Sequence, residues 1–182
     1  MSPLRQLEQT LKALSNPEHY LFTLSDLSSV LPDSSKEALQ TLLGRAVQSG
    51  VLQRVCRGLF LYPDAYANDG LLLYHAAARL RAGELNYLSL ESVLSDAGVI
   101  SQIPLGWITL MTSGRNRIVD CGRFGRIEFI HTRRSADTLA GQLHWDARIH
   151  LWRASVALAL QDMKYTHRSL ELVDWELANE FV

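Results

Sequence analysis

The chain has 182 residues, 47% of them hydrophobic and 20% charged, with a formal net charge of −1. That composition excludes wholesale disorder, a collagen repeat and a disulfide scaffold, and the length allows one large domain or two small ones. A protein basic all over is excluded as well, so the average argues against a nucleic-acid partner.

In chain order, Leu4, Leu7, Leu11 and Leu14 recur at three- and four-residue spacing and predict a helix from Pro3 to Ser15, ended by Asn16-Pro17. Tyr20 to Thr23 is short and aromatic, a small strand. Thr23-x-x-Asp26 has the form of a capping box and opens a second helix running to about Leu31, before Pro32. Ser34-x-x-Glu37 is a second box and opens KEALQTLLGRAVQSG. There Ala38, Leu39, Leu42, Leu43, Ala46 and Val47 face inward, while Lys36, Gln40, Thr41, Arg45 and Gln48 face outward. VLQRVCRGLFLYP alternates as two short strands around a turn at Cys56-Arg57-Gly58. This order, over residues 1–63, is that of a winged helix-turn-helix.

Residues 64–70 form a polar, turn-rich linker, and residues 71–182 form a second domain long enough for its own core. LLLYHAAARLRAG is a helix stopped by Gly83. Ser89 caps another, with Leu90, Val93, Leu94 and Ala97 on one face and Gly98 at its end. Pro104 and Gly106 mark a turn before the strand WITLMTS. RFGRIEFIHTRR reads as a strand after a turn at Gly125, with Ile127, Phe129 and His131 at alternate positions. Helices are expected at about 146–162, on the spacing of Ala147, Leu151, Ala154 and Leu158, and near Trp175. The fold class is α+β: an N-terminal winged helix-turn-helix followed by a mixed α/β C-terminal domain.

The net charge is unevenly spread: +1 over residues 1–63, −3 over 64–114, +4 over 115–153 and −3 over 154–182. Arg outnumbers Lys by 15 to 3, and its planar fork suits phosphates and carboxylates. The second helix of a helix-turn-helix lies in the major groove with its N-terminal residues at the base edges. Here those residues are Ser35, Lys36, Gln40 and Thr41, whose hydroxyl, amide and ammonium groups suit base edges and phosphates. Arg54 and Arg57 on the hairpin can reach phosphate or the minor groove. Asp33 and Glu37 would repel phosphate.

Cys56 and Cys121 are too far apart for a close-spaced metal or redox pair and read as reduced cytosolic thiols. The first fourteen residues carry no continuous apolar segment, and no apolar run is long enough to cross a bilayer. The expectation is a cytoplasmic protein without membrane contact.

An enzyme needs a site. His144, Asp146 and His150 lie close together, and a helix starting near Asp146 would put Asp146 and His150 on one face. No further ligand stands at a fitting spacing, and such pairs are usually structural. GxSxG, P-loop, Rossmann and HExxH patterns are missing. No catalytic residue, metal or cofactor is therefore expected. Trp107, Trp145, Trp152 and Trp175 are read as core rather than as stacking platforms, and Glu171 to Glu180 as an amphipathic terminal helix.

The ordered set RGLFLYP, YLSLESVLSDAGVIS, ITLMTSGR and GRIEFIHTRR, spread between about Phe22 and Arg168, resembles the AbiEi family of bacterial antitoxins. The resemblance implies a winged helix that represses its own operon at inverted repeats in double-stranded operator DNA. It also implies a C-terminal domain that counteracts a nucleotidyltransferase toxin encoded alongside. Carried onto this sequence, DNA contacts fall on Lys36, Gln40, Thr41, Arg45, Arg54 and Arg57. A second basic surface, as the family has, would fall on Arg115, Arg117, Arg123, Arg126, Arg133 and Arg134. The alternative is a winged-helix transcriptional regulator without a toxin partner.

Overall fold

The computed structural model describes residues 2–101 and 105–182, so the turn expected at Pro104 lies outside the described residues. The protein is α+β and divides into two compact units, one ending at Gly70 and one beginning at Leu71. No helix among the described residues is long and apolar enough to cross a membrane.

The first unit opens with α1 (Pro3–Leu14), which buries Leu7 and Leu11. Then come β1 (Leu21–Thr23) and α2 (Leu24–Val30). Between them the Thr23/Asp26 capping box forms in full: Asp26 Oδ2 accepts from the Thr23 amide at 2.7 Å, and Thr23 Oγ1 accepts from the Asp26 amide at 3.2 Å. Next is α3 (Lys36–Gln48), which buries Leu39, Leu42, Leu43 and Ala46. Burying each of those leucines is worth about 2 kcal/mol over leaving it exposed, and this fixes which face of α3 stays in solvent.

The second box expected at Ser34 is displaced by one residue. Ser35 is the cap, its Oγ accepting from the Ala38 amide at 3.2 Å, while the Ser34 amide closes a turn onto the Leu31 carbonyl at 3.1 Å. That register puts Ala38, exposed rather than buried, where the reciprocating Glu would have to stand. Strands β2 (Gln53–Cys56) and β3 (Leu59–Leu61) follow, joined through Gly58 at φ +79°. The sheet runs β1-β3-β2, antiparallel throughout.

The second unit is built on a six-stranded mixed sheet in the order β6-β7-β5-β4-β9-β8. Its elements are α4 (Leu72–Leu80), β4 (Asn86–Leu88), α5 (Leu90–Asp96), β5 (Trp107–Thr112), β6 (Arg117–Asp120), β7 (Arg126–His131), β8 (Leu143–Asp146), β9 (Leu151–Ala154), α6 (Val156–Tyr165) and α7 (Trp175–Ala178). β4 is antiparallel to β5 and parallel to β9, and β5 is parallel to β7. Helix α5 crosses from β4 back to β5 and packs on α6.

The helix expected over 146–162 is instead the β8–β9 hairpin followed by a shorter helix. His150 adopts φ +56°, which no helix interior accommodates, and Ser155 caps α6 by accepting from the Leu158 amide at 3.1 Å. Of the four tryptophans expected in the core, Trp107 is half-buried and the other three are exposed. Trp145 and Trp152 face each other across the hairpin, 52% and 43% exposed, with ring centroids 5.6 Å apart, and Trp175 is also exposed. The acidic end is one helical turn, α7, with Val173 bridged to Ile100 and the Asp174 amide bonded to the Val99 carbonyl at 2.8 Å.

Candidate nucleic-acid interface

Apolar burial turns one side of α3 inward, so its other side carries Lys36, Gln40, Thr41 and Arg45 to solvent. Lys36 and Gln40 stand four residues apart on one stripe; Glu37, Thr41 and Arg45 form the stripe beside it. Lys36, Gln40 and Arg45 have no side-chain partner among the described residues, so their donors are available to a ligand.

The two hydroxyls differ. Ser35 Oγ accepts from Ala38 and keeps its own proton to donate outward. Thr41 donates that proton to the Glu37 carbonyl at 3.0 Å, so its oxygen is left as an acceptor. With Ser35 satisfying the third amide of the helix, the first two, of Lys36 and Glu37, have no acceptor among the described residues and point into solvent. The N-terminal end of α3 thus offers free N–H groups, a cation and a hydroxyl donor together, with the Glu37 carboxylate as an opposing charge.

The hairpin adds two more guanidinium groups. Arg54 is paired in register with Phe60 and lies over that ring at 5.6 Å from its centroid, which steadies the cation without neutralising it. Arg57 is exposed at the turn itself.

The six arginines of the expected second basic surface do not form one patch. Arg117 is paired with Phe129 and shares its face of the sheet, whereas Arg126 stands three residues from Phe129 along β7 and falls on the opposite face. Arg126 approaches Asp120 at 3.8 Å and Trp107 at 5.6 Å from the ring centroid. Arg123 covers its neighbour Phe124 at 4.6 Å. Arg115 and Arg133 are exposed. Arg134 is committed inward, 2.7 Å from Asp162.

Asp162 is a functional-looking group that the sequence reading did not single out. It is fully buried on α6, and its carboxylate accepts from Ser89 Oγ at 2.7 Å, Tyr87 Oη at 3.1 Å and Arg134 Nη1 at 2.7 Å. Burial pushes its carboxyl above the usual range, and the bonds from Ser89 and Tyr87 and the Arg134 charge pull it back. The signal was present: in VALALQDM, Asp162 sits four residues after Leu158 and three after Ala159, on the inward face. The carboxylate is met by donors from β4, from the start of α5 and from the segment after β7, so the cluster ties these elements to α6. A second tie joins Arg168 to both Glu91 and Glu128, with Trp107 Nε1 donating to Glu128 at 3.3 Å.

His144, Asp146 and His150 do not converge on a helix face. Asp146 accepts from Arg153 at 3.3 Å and from the Arg148 amide at 3.1 Å, while the His150 ring stacks on His75 at 4.4 Å. Among the described residues no three His, Cys, Asp or Glu side chains are grouped to hold a metal ion. Comparison with known protein families, with characterised proteins and with solved structures finds no match to this chain.

Proposed function

We propose that this chain is a non-enzymatic, DNA-binding antitoxin: its first unit is a winged helix-turn-helix that represses its own operon, and its second unit serves to counteract a nucleotidyltransferase toxin. One observation carries the DNA-binding reading. The first unit runs helix, strand, helix, helix, hairpin, closes as the antiparallel sheet β1-β3-β2, and leaves α3 with an unneutralised polar face beside a hairpin carrying Arg54 and Arg57. In that fold α3 is the helix that enters the major groove, and the hairpin is the wing that meets the backbone. The antitoxin role rests on the resemblance of the ordered segments from RGLFLYP to GRIEFIHTRR, and places the protein in the cytoplasm.

The roles divide by chemistry. Gln40 can pair in bidentate fashion with adenine, Ser35 and Thr41 supply one donor and one acceptor, and Lys36, Arg45, Arg54 and Arg57 supply phosphate contacts. A labelled duplex of the promoter's inverted repeat, titrated in fluorescence anisotropy, tests this. Gln40→Ala should relax discrimination at one or two base pairs, each worth about 1–3 kcal/mol, with little loss on non-specific DNA. Equal binding of operator and scrambled duplex by the wild type would sink the reading. Co-expression with the adjacent gene tests the rest: restored growth supports the antitoxin, and repression without rescue assigns the chain to regulators lacking a toxin partner.

A further inference from the structure

In the second unit the segment Ser113–Asn116, between β5 and β6, is fastened on both sides. The Ser113 hydroxyl accepts from the Leu85 amide at 3.0 Å, and the Ser113 amide donates to the Leu85 carbonyl at 2.9 Å. Thr112 Oγ1 accepts from the Gly114 amide and donates to Glu84 Oε2, both at 3.1 Å. Arg81, at the end of α4, bonds Glu84 at 2.7 Å and the Arg115 carbonyl at 3.0 Å. Gly114 lies so close to that pair that a Cβ there would stand 1.9 Å from Glu84 Oε2 and 2.1 Å from Arg81 Nη1. On the other side the Asn116 carboxamide oxygen accepts from the His131 amide at 2.6 Å, and His131 Nδ1 donates to the Gly114 carbonyl at 2.7 Å.

These bonds fix the loop, and two side chains are left out of them. Arg115 and Arg117 are exposed and have no carboxylate partner among the described residues. With Leu80, Arg81, Asn116 and His131 they line an open groove of about 890 Å³. Glu84, the one carboxylate at its wall, is already taken by Arg81 and Thr112.

We propose that this groove binds phosphate, taking a phosphorylated ligand of nucleotide size through Arg115 and Arg117. A guanidinium fork matches two phosphate oxygens. A loop fastened before the ligand arrives spends little entropy on ordering. The groove has the volume of a small-molecule site, and with Leu80 as its sole large aliphatic lining residue it does not suit an apolar guest. The site belongs to the second unit alone and does not rest on DNA binding by the first. The phosphate can be that of a free nucleotide or of a nucleic-acid backbone.

Isothermal titration of the full chain with inorganic pyrophosphate, AMP and a short single-stranded oligonucleotide tests this, with the Arg57→Ala variant as a background altered only in the first unit. Pyrophosphate should saturate at millimolar concentration or below, unchanged by Arg57→Ala. The Arg115→Ala/Arg117→Ala double variant, with an unaltered thermal melt, should bind at least about tenfold more weakly. Gly114→Ala, which displaces the loop, should weaken binding in the same direction. A matching loss with AMP identifies a free nucleotide; a loss with the oligonucleotide but not AMP identifies a backbone. Pyrophosphate binding that ignores the double substitution, or no saturable binding of any of the three probes, overturns the proposal.

Discussion

Asp162 illustrates how a single buried residue can tie several elements of one unit together. An ionised carboxyl removed from water costs several kcal/mol unless its oxygens are met by donors, and here the donors come from β4, the cap position of α5 and the segment after β7. Because burial outweighs those partners, the folded protein holds the Asp162 proton more tightly than the unfolded chain does. The sign follows: its contribution to stability is full below the unfolded carboxyl value of about 3.9 and is lost as pH rises through the higher folded value. In Asp162→Asn that slope is gone. Urea unfolding at several pH values should therefore show the stability of the wild type relative to the variant falling as pH rises from about 4; a constant difference would refute it. Arg134→Met removes the one cation that pairs with this buried carboxylate among the described residues and should destabilise the protein by about 3 kcal/mol at neutral pH, less in acid. The commitment of Arg134 also explains why a count of arginines overstates the positive charge on offer to a ligand.

Among the elements, α5 has an unusual start. Ser89 occupies its cap position, yet its side chain turns to Asp162, because Leu90 enters the helix at φ +58° and redirects the chain. A left-handed Leu costs about 1–2 kcal/mol, offset by its complete burial. The missing cap is delivered from another strand: Thr109 Oγ1 on β5 accepts from the Ser92 amide at 3.2 Å and donates to the Ser89 carbonyl at 2.9 Å. Thr109→Val keeps the branched shape and loses these two bonds together with the 3.2 Å contact to Ser92 Oγ, so equilibrium unfolding should register a loss of about 1–2 kcal/mol; a loss under about 0.5 kcal/mol would mean the cap is dispensable. This arrangement also marks where sequence stops being legible. α1, α3 and β7 are long enough to show a period, β5 is a mostly apolar run that follows a turn, and the Thr23/Asp26 box is local, so each could be read from neighbouring residues. β4 and β6, at three and four residues, are too short to be told from loop by alternation alone; β2 and β3 are as short and were legible only through the turn between them. Leu151, Ala154 and Leu158 mimic a helical stripe only because β9 and α6 happen to bury residues at that spacing, while Ala147 is exposed in the turn between β8 and β9. Of the candidate site, the outward residues of α3 were legible as the complement of its apolar face. The groove beside Gly114 was not, since it depends on residues just after α4, at the end of β5 and at the end of β7, 17 to 34 positions apart, meeting in space.

For the whole molecule, the net charge of −1 hides a division that binding should expose. In the second unit Arg117 and Arg126 lie on opposite faces of the sheet and Arg134 is occupied, so no single face gathers the six arginines of residues 115–134 against a duplex. The operator contacts proposed above then fall to Lys36, Arg45, Arg54 and Arg57. Each phosphate neutralised releases condensed counterions, so log K against log salt should have a slope of about −3 to −4 for each chain bound. That is shallow for a repressor, and Glu37 beside Lys36 lowers the affinity of one chain further. Inverted repeats engaged by two copies would double the slope. Arg57→Ala should make it shallower by about 0.9 per chain and weaken operator and non-operator DNA alike, while Gln40→Ala leaves it unchanged. Affinities measured across a salt series with these two variants and with Arg115→Ala/Arg117→Ala separate the contributions. A slope near −6 per chain that falls in the double variant would show the second unit lying on the duplex; a slope indifferent to Arg57→Ala would remove the hairpin from the interface.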